Sequence, residues 1–128
     1  MWDLRHVSGL WGIISGIAVP ALWVYFIKNG MYPELHATPI AASLHLTAEF
    51  GMAAVSLISG LALYQGRVWA TRVFVLSLGV MLHAELVSLG RLAQQGATPF
   101  AAGFVGILAA TLLLTIFNLK SKASCCLL

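Results

Sequence analysis

The sequence predicts an all-α fold: an integral membrane bundle of four transmembrane helices in one domain. Three observations support this. The 128 residues are 60% hydrophobic and only 9% charged, against about 25% charged in a soluble domain. The mean hydropathy is +0.93, so the chain has too few charged side chains to cover a water-facing surface. Four apolar runs also reach the roughly 20 residues that cross about 30 Å of hydrocarbon as helix.

The runs lie near residues 8–27, 40–64, 72–92 and 100–119, with 120–128 left as a tail. Arg5 precedes the first run, which is too long for a signal-peptide core and has no small-residue cleavage pattern before Lys28. It is expected to be retained. Ser8, Gly12 and Gly16 recur every four residues along it, a spacing that lets helix backbones approach closely. Pro20 removes a backbone donor and is expected to kink this helix. The second run opens with Ala37-Thr38-Pro39-Ile40-Ala41-Ala42, and the fourth with Ala97-Thr98-Pro99-Phe100-Ala101-Ala102. Thr suits an N-cap, and Pro suits the first helical position, where its missing N–H is not needed. Duplication of a helix pair and convergent capping both account for this echo. Ala102, Gly106 and Ala110 repeat the small-residue spacing on the fourth helix. Either small-residue stripe can serve the bundle or a homo-oligomer. Thr111, Thr115 and Asn118 are expected to satisfy backbone carbonyls or a neighbouring helix.

Charge bias sets the orientation. With the N-terminus inside, Arg5, Arg67, Arg72, Lys120 and Lys122 fall on the cytoplasmic side, and Lys28 and Arg91 on the other. The positive-inside rule then predicts both termini in the cytoplasm. The same scatter argues against nucleic acid as a partner. A net charge of +3 is spread over loops and ends with no basic patch. The expected partners are the lipid bilayer and either a second copy of the chain or a larger membrane complex.

Four ionisable residues stand in the apolar runs: His45 and Glu49 in the second, His83 and Glu85 in the third. A charged side chain at the bilayer centre costs roughly 2.5–3.5 kcal/mol on insertion scales, so each needs a compensating partner or a function. His45 and Glu49 are one turn apart on one helix face. At 1.5 Å per residue, Glu49 and His83 both lie roughly 13 Å below the outer boundary. His45, Glu49 and His83 are therefore expected to share one site in the outer half. His83 and Glu85 diverge by about 200° around an ideal helix, so Glu85 is expected to point elsewhere, toward the fourth helix or a partner chain. Arg91, near the outer end, can neutralise whichever carboxylate it reaches.

Three functions compete for this constellation. The first is a site that binds a small molecule or handles protons, built on Glu49, His45 and His83 with Glu85 and Arg91 nearby. The second is a metal- or haem-binding redox subunit. Here His45, Glu49 and His83 form a two-His, one-carboxylate set suited to a divalent metal, or His45 and His83 serve as axial haem ligands. The Glu-x-x-His pairs of diiron bundles are absent. The third is structural, with the polar cluster fixing helix register in an accessory subunit. Whether the chain is an enzyme stays open at this stage.

The end, Cys125-Cys126-Leu127-Leu128, has the outline of a prenylation box. Lipidation of Cys125 or Cys126 is thus a further expectation. Neighbouring cysteines do not suit a disulfide, whose Cα atoms prefer about 5.5–6 Å.

Ala48-Glu49-Phe50-Gly51 through Gly60-Leu61-Ala62-Leu63-Tyr64, followed by Arg67-Val68-Trp69-Ala70, resembles small four-helix prokaryotic membrane proteins of the DoxX-like kind. The likeness covers about half the chain. It implies a four-helix membrane fold and is compatible with a redox role, since that set includes quinone-linked subunits. It carries over no functional residue.

Overall fold

The computed structural model describes the backbone of residues 3–126 and the side chains of residues 3–121. All elements among them are helical: α1 Leu4–Lys28, α2 Glu34–Ala37, α3 Pro39–Tyr64, α4 Ala70–Gln94 and α5 Thr98–Cys126. Four of these helices are long and apolar enough to cross a membrane. Each extends beyond its apolar run, because hydropathy marks the apolar stretch whereas backbone hydrogen bonding continues into the flanking polar residues. The short α2 lies in what reads from the sequence as a plain loop. It divides the connection between α1 and α3.

Three of the long helices stop in the same way. After α1, Gly30 N–H donates to Ile27 O and Met31 N–H to Phe26 O. Gly66 with Arg67 and Gly96 with Ala97 repeat the pattern after α3 and α4. Each glycine has a φ of +65° to +77°, the left-handed conformation that this helix-ending motif requires and that costs a Cβ-bearing residue more. The helix starts differ from expectation. Pro39 does occupy the first turn of α3, but Thr38 makes no side-chain cap. Its hydroxyl donates back to Glu34 O at 3.3 Å instead, because α2 leaves that carbonyl within reach. α1 remains helical on both sides of Pro20.

The long helices follow one another around the bundle. α1 packs along α3, α3 on α4 and α4 on α5, whereas α1 and α5 meet only marginally. Small residues bring α1 and α3 together. A Cβ at Gly12 would come within 2.8 Å of Ser56 O, at Gly16 within 2.9 Å of Ala53 O, and at Gly9 within 2.9 Å of Gly60 O. Ser8 leaves this stripe and faces α5 instead, where its Oγ accepts a 2.9 Å hydrogen bond from Asn118 Nδ2. The equivalent stripe on α5 has no such neighbour: a Cβ at Gly106 would meet nothing within 4 Å.

Burial departs from the pattern of a water-soluble fold. Ser8, Ser56, Ser59, Ser77, Thr111, Asn118, Glu49 and Glu85 are buried, while Ile14, Ile17, Ile40, Leu44, Ile58, Leu76, Leu86 and Leu113 are exposed. Large apolar side chains are thus exposed along all four helices that are long and apolar enough to cross a membrane. Buried hydroxyls joining close-packed helices are a device of membrane bundles. Ser15 and Ser56 show it here, their oxygens 3.2 Å apart across α1 and α3. Phe74, Leu78 and Leu63 form a small apolar core at one end. Trp23, Phe26, Tyr32 and Ala42 form another at the end that carries α2.

Candidate ligand-binding site

Between these two cores the helices part. α1 and α5 are joined near one end by Ser8 and Asn118. Near the α2 end the rings of Phe26 and Phe100 meet at 6.2 Å. The interval between them holds a cavity of about 310 Å³, within the usual range for small-molecule sites. Ile14 and Ala18 of α1 and Ile107 of α5 line it and are exposed on the outer surface of the bundle. The cavity therefore opens sideways through the α1–α5 seam.

Its walls are mainly apolar and aromatic, with Trp11, Trp23, Phe26, Met52, Met81 and Phe104 among them. Two carboxyl side chains also line it, Glu49 from α3 and Glu85 from α4. Glu49 is ten residues from the α2 end of its helix and Glu85 nine residues from the α2 end of its own. At 1.5 Å per residue both lie about 14–15 Å from that end. Each is only 5% exposed.

The two carboxyls are held in different ways. Glu49 Oε2 accepts a long hydrogen bond, 3.4 Å, from Trp23 Nε1. Its Oε1 is 3.7 Å from His45 Nε2, one turn away on the same helix. That nitrogen is buried and has no hydrogen-bond partner, so the imidazole lies beside the carboxyl without closing a bond to it. The His45 ring stacks edge-on against Trp23 at 5.5 Å. Glu85 Oε1 accepts a 2.8 Å bond from Thr111 Oγ1, linking α4 to α5. The Thr111 hydroxyl has a single hydrogen and is also 3.0 Å from Ile107 O, so it can serve one of these acceptors at a time. Glu85 Oε2 is buried without a partner. So is Trp11 Nε1, on the α1 wall of the same cavity.

Arg91 closes the α2 end. It projects from the last turn of α4, where a cation complements the helix dipole. Its Cζ lies 4.9 Å from the Tyr32 ring centroid and 6.0 Å from that of Trp23. Its Nε pairs with Glu34 Oε1 at 3.4 Å. The carboxylate that Arg91 reaches is thus on α2, outside both apolar runs, and neither Glu49 nor Glu85 gains a cation from it.

The arrangement differs from the sequence reading in one important respect. Glu85, expected to point away, lines the large cavity with Glu49, while His83 does not. His83 is exposed and lines a separate groove of about 120 Å³ with His45, Glu49, Val80 and Val87. α4 decides this. Its buried residues Phe74, Ser77, Leu78, Met81, Glu85 and Leu92 follow helical spacing on one face, and His83 falls off that face. Glu49 borders both spaces, together with Met52 and Ala84. Among the described residues, no three His, Cys, Asp or Glu side chains gather closely enough to hold a metal ion. His45, Glu49 and His83 therefore do not form the three-ligand set expected. The side chains of Cys125 and Cys126, the expected lipidation sites, lie outside the described residues.

Trp23, Tyr32, Thr111 and Glu34 were not legible as site residues. For Glu85 a signal does exist. Ser77, Glu85, Ser88 and Arg91 trace a polar stripe along α4, and in an apolar helix the polar stripe is the one that faces inward.

No curated protein and no solved structure matches this chain. Residues 2–126 match the family model described as Domain of unknown function (DUF8058), and with nearly its whole length covered the chain belongs to that family.

Proposed function

We propose that this is a multi-pass membrane protein, with both ends on the cytoplasmic side, whose bundle binds a small, largely apolar molecule bearing a polar group. The observation that carries this reading is the pairing of Glu49 and Glu85 in one apolar, aromatic-walled cavity. Register-fixing polar residues are expected to satisfy one another, because an unpaired buried polar atom is costly. Here Glu85 Oε2 and Trp11 Nε1 are buried without partners in two residues that line the cavity, which favours a site over structural glue. The sideways opening between α1 and α5 suits a molecule that partitions into lipid and enters from the bilayer. Trp23 holds Glu49 by its indole N–H, and Arg91 with Glu34 covers the α2 end.

Native mass spectrometry of the chain released from non-ionic detergent tests this reading. A molecule retained from the host membrane is expected as a discrete mass adduct on the wild-type chain. It is expected to be lost in Ser88→Trp, whose indole fills the cavity. The bare chain mass in both proteins would contradict the proposal.

A further inference from the structure

The charges around the cavity are unbalanced, and the imbalance specifies the ligand. Two carboxyls, Glu49 and Glu85, and one guanidinium, Arg91, line the cavity. Arg91 is already engaged, its guanidinium paired with Glu34 and stacked on Tyr32. The partners of the other two are Trp23 and His45 for Glu49, and Thr111 for Glu85. No lysine or arginine pairs with either carboxyl among the described residues. Two acidic side chains, each 5% exposed, thus share one apolar space, where a charge is tolerated only when paired. One of them has an oxygen with no partner.

The walls supply the second half of the recognition chemistry. Trp11, Trp23, Phe26, Tyr32 and Phe104 line the same cavity, and aromatic faces attract cations, more strongly where water is excluded. Arg91 shows the preference within the protein itself, lying 4.9 Å from the Tyr32 ring. Resting on the ligand-binding reading above, we infer that the molecule this cavity takes is a hydrophobic organic cation, an ammonium carrying apolar substituents. The positive centre lies between Glu49 and Glu85, and the substituents lie against the aromatic and methionine walls. An anion would meet both carboxyls. A neutral apolar molecule would bring neither of them a countercharge.

Isothermal titration calorimetry on the full chain in non-ionic detergent tests the inference with three probes of similar size. Benzyltrimethylammonium is a permanent cation, neopentylbenzene its neutral carbon isostere, and benzylsulfonate an anion. Saturable binding of the cation is expected, at least tenfold tighter than the neutral isostere, with no binding of the anion. Glu49→Gln and Glu85→Gln are each expected to weaken the cation tenfold or more and to leave the neutral probe unchanged. If either variant fails to fold, the comparison of probes on the wild-type chain decides alone. Equal or tighter binding of the neutral isostere overturns the cation assignment and leaves the ligand-binding reading standing. No binding of any probe, together with a bare chain mass in native spectrometry, overturns both.

Discussion

Glu49 on α3 and Glu85 on α4 stand at matching depth on antiparallel helices and line the same cavity. They are secured unequally. Glu49 has an indole and an imidazole beside it, whereas Glu85 has one hydroxyl and a bare oxygen. The difference separates stability from binding experimentally.

Thr111→Val removes the one hydrogen bond to Glu85 while keeping the shape of the side chain. Leaving a buried acceptor unsatisfied costs about 1–3 kcal/mol, so the melting temperature in detergent is expected to fall. In Glu85→Leu the acceptor is gone, and adding Thr111→Val should then cost much less. A double-mutant cycle by thermal melting reads this coupling. Additive losses would show that the Glu85–Thr111 bond does not join α4 to α5.

The α1–α3 contact depends on the absence of side chains. Gly12→Leu would drive carbon into Ser56 O and Phe74, which a Cβ alone would approach to within 2.8 and 2.9 Å. Overpacking of this kind costs about 1–3 kcal/mol or more. Gly106→Leu on α5, where nothing lies within 4 Å, is expected to change stability little. Unfolding in a denaturing detergent series compares the two, and equal losses would contradict the packing described.

Arg91 tests the α2 end. Glu34→Gln removes an ion pair whose partners are about a quarter and a third exposed, so solvent screening limits its effect to below about 1 kcal/mol. Arg91→Lys keeps the charge but loses the planar group stacked on Tyr32 and Trp23. It is therefore expected to shift the tryptophan emission more than Glu34→Gln does. The reverse order would assign Arg91 to the ion pair alone.

Orientation is open to chemical labelling. In a chain freed of its native cysteines, Asn29→Cys and Gln95→Cys are expected to react with a membrane-impermeant thiol reagent added outside intact cells. Arg67→Cys is expected to react only after lysis. The opposite pattern would invert the topology drawn from Arg5, Arg67, Arg72, Lys120 and Lys122.

Much of the architecture was legible in the sequence because length and hydropathy constrain helices strongly. The four long helices and the His45–Glu49 neighbourhood follow from pitch alone. The inward face of α4 did not follow from depth, although the polar stripe of Ser77, Glu85, Ser88 and Arg91 marks it. Depth matched His83 to Glu49, and the divergence of about 200° between His83 and Glu85 then turned Glu85 away. The short α2, and with it the Glu34 partner of Arg91, lacks the length that makes a periodic pattern readable. Trp23 stands in an apolar run with nothing in its spacing to mark it as a partner for Glu49. Its hydrogen bond to Glu49 depends on α1 packing against α3, which glycines at positions 9, 12, 16 and 60 permit.

The central claim is that Glu49 and Glu85 belong to one ligand-accessible site. A hydrophobic carbodiimide, which couples to carboxyl groups in apolar surroundings, tests it most directly when the modified residues are located by mass spectrometry. Both glutamates are predicted to be labelled, and benzyltrimethylammonium is predicted to protect both over the same concentration range. Labelling of Glu49 and Glu85 with different protection curves, or no protection of either, would contradict the shared site.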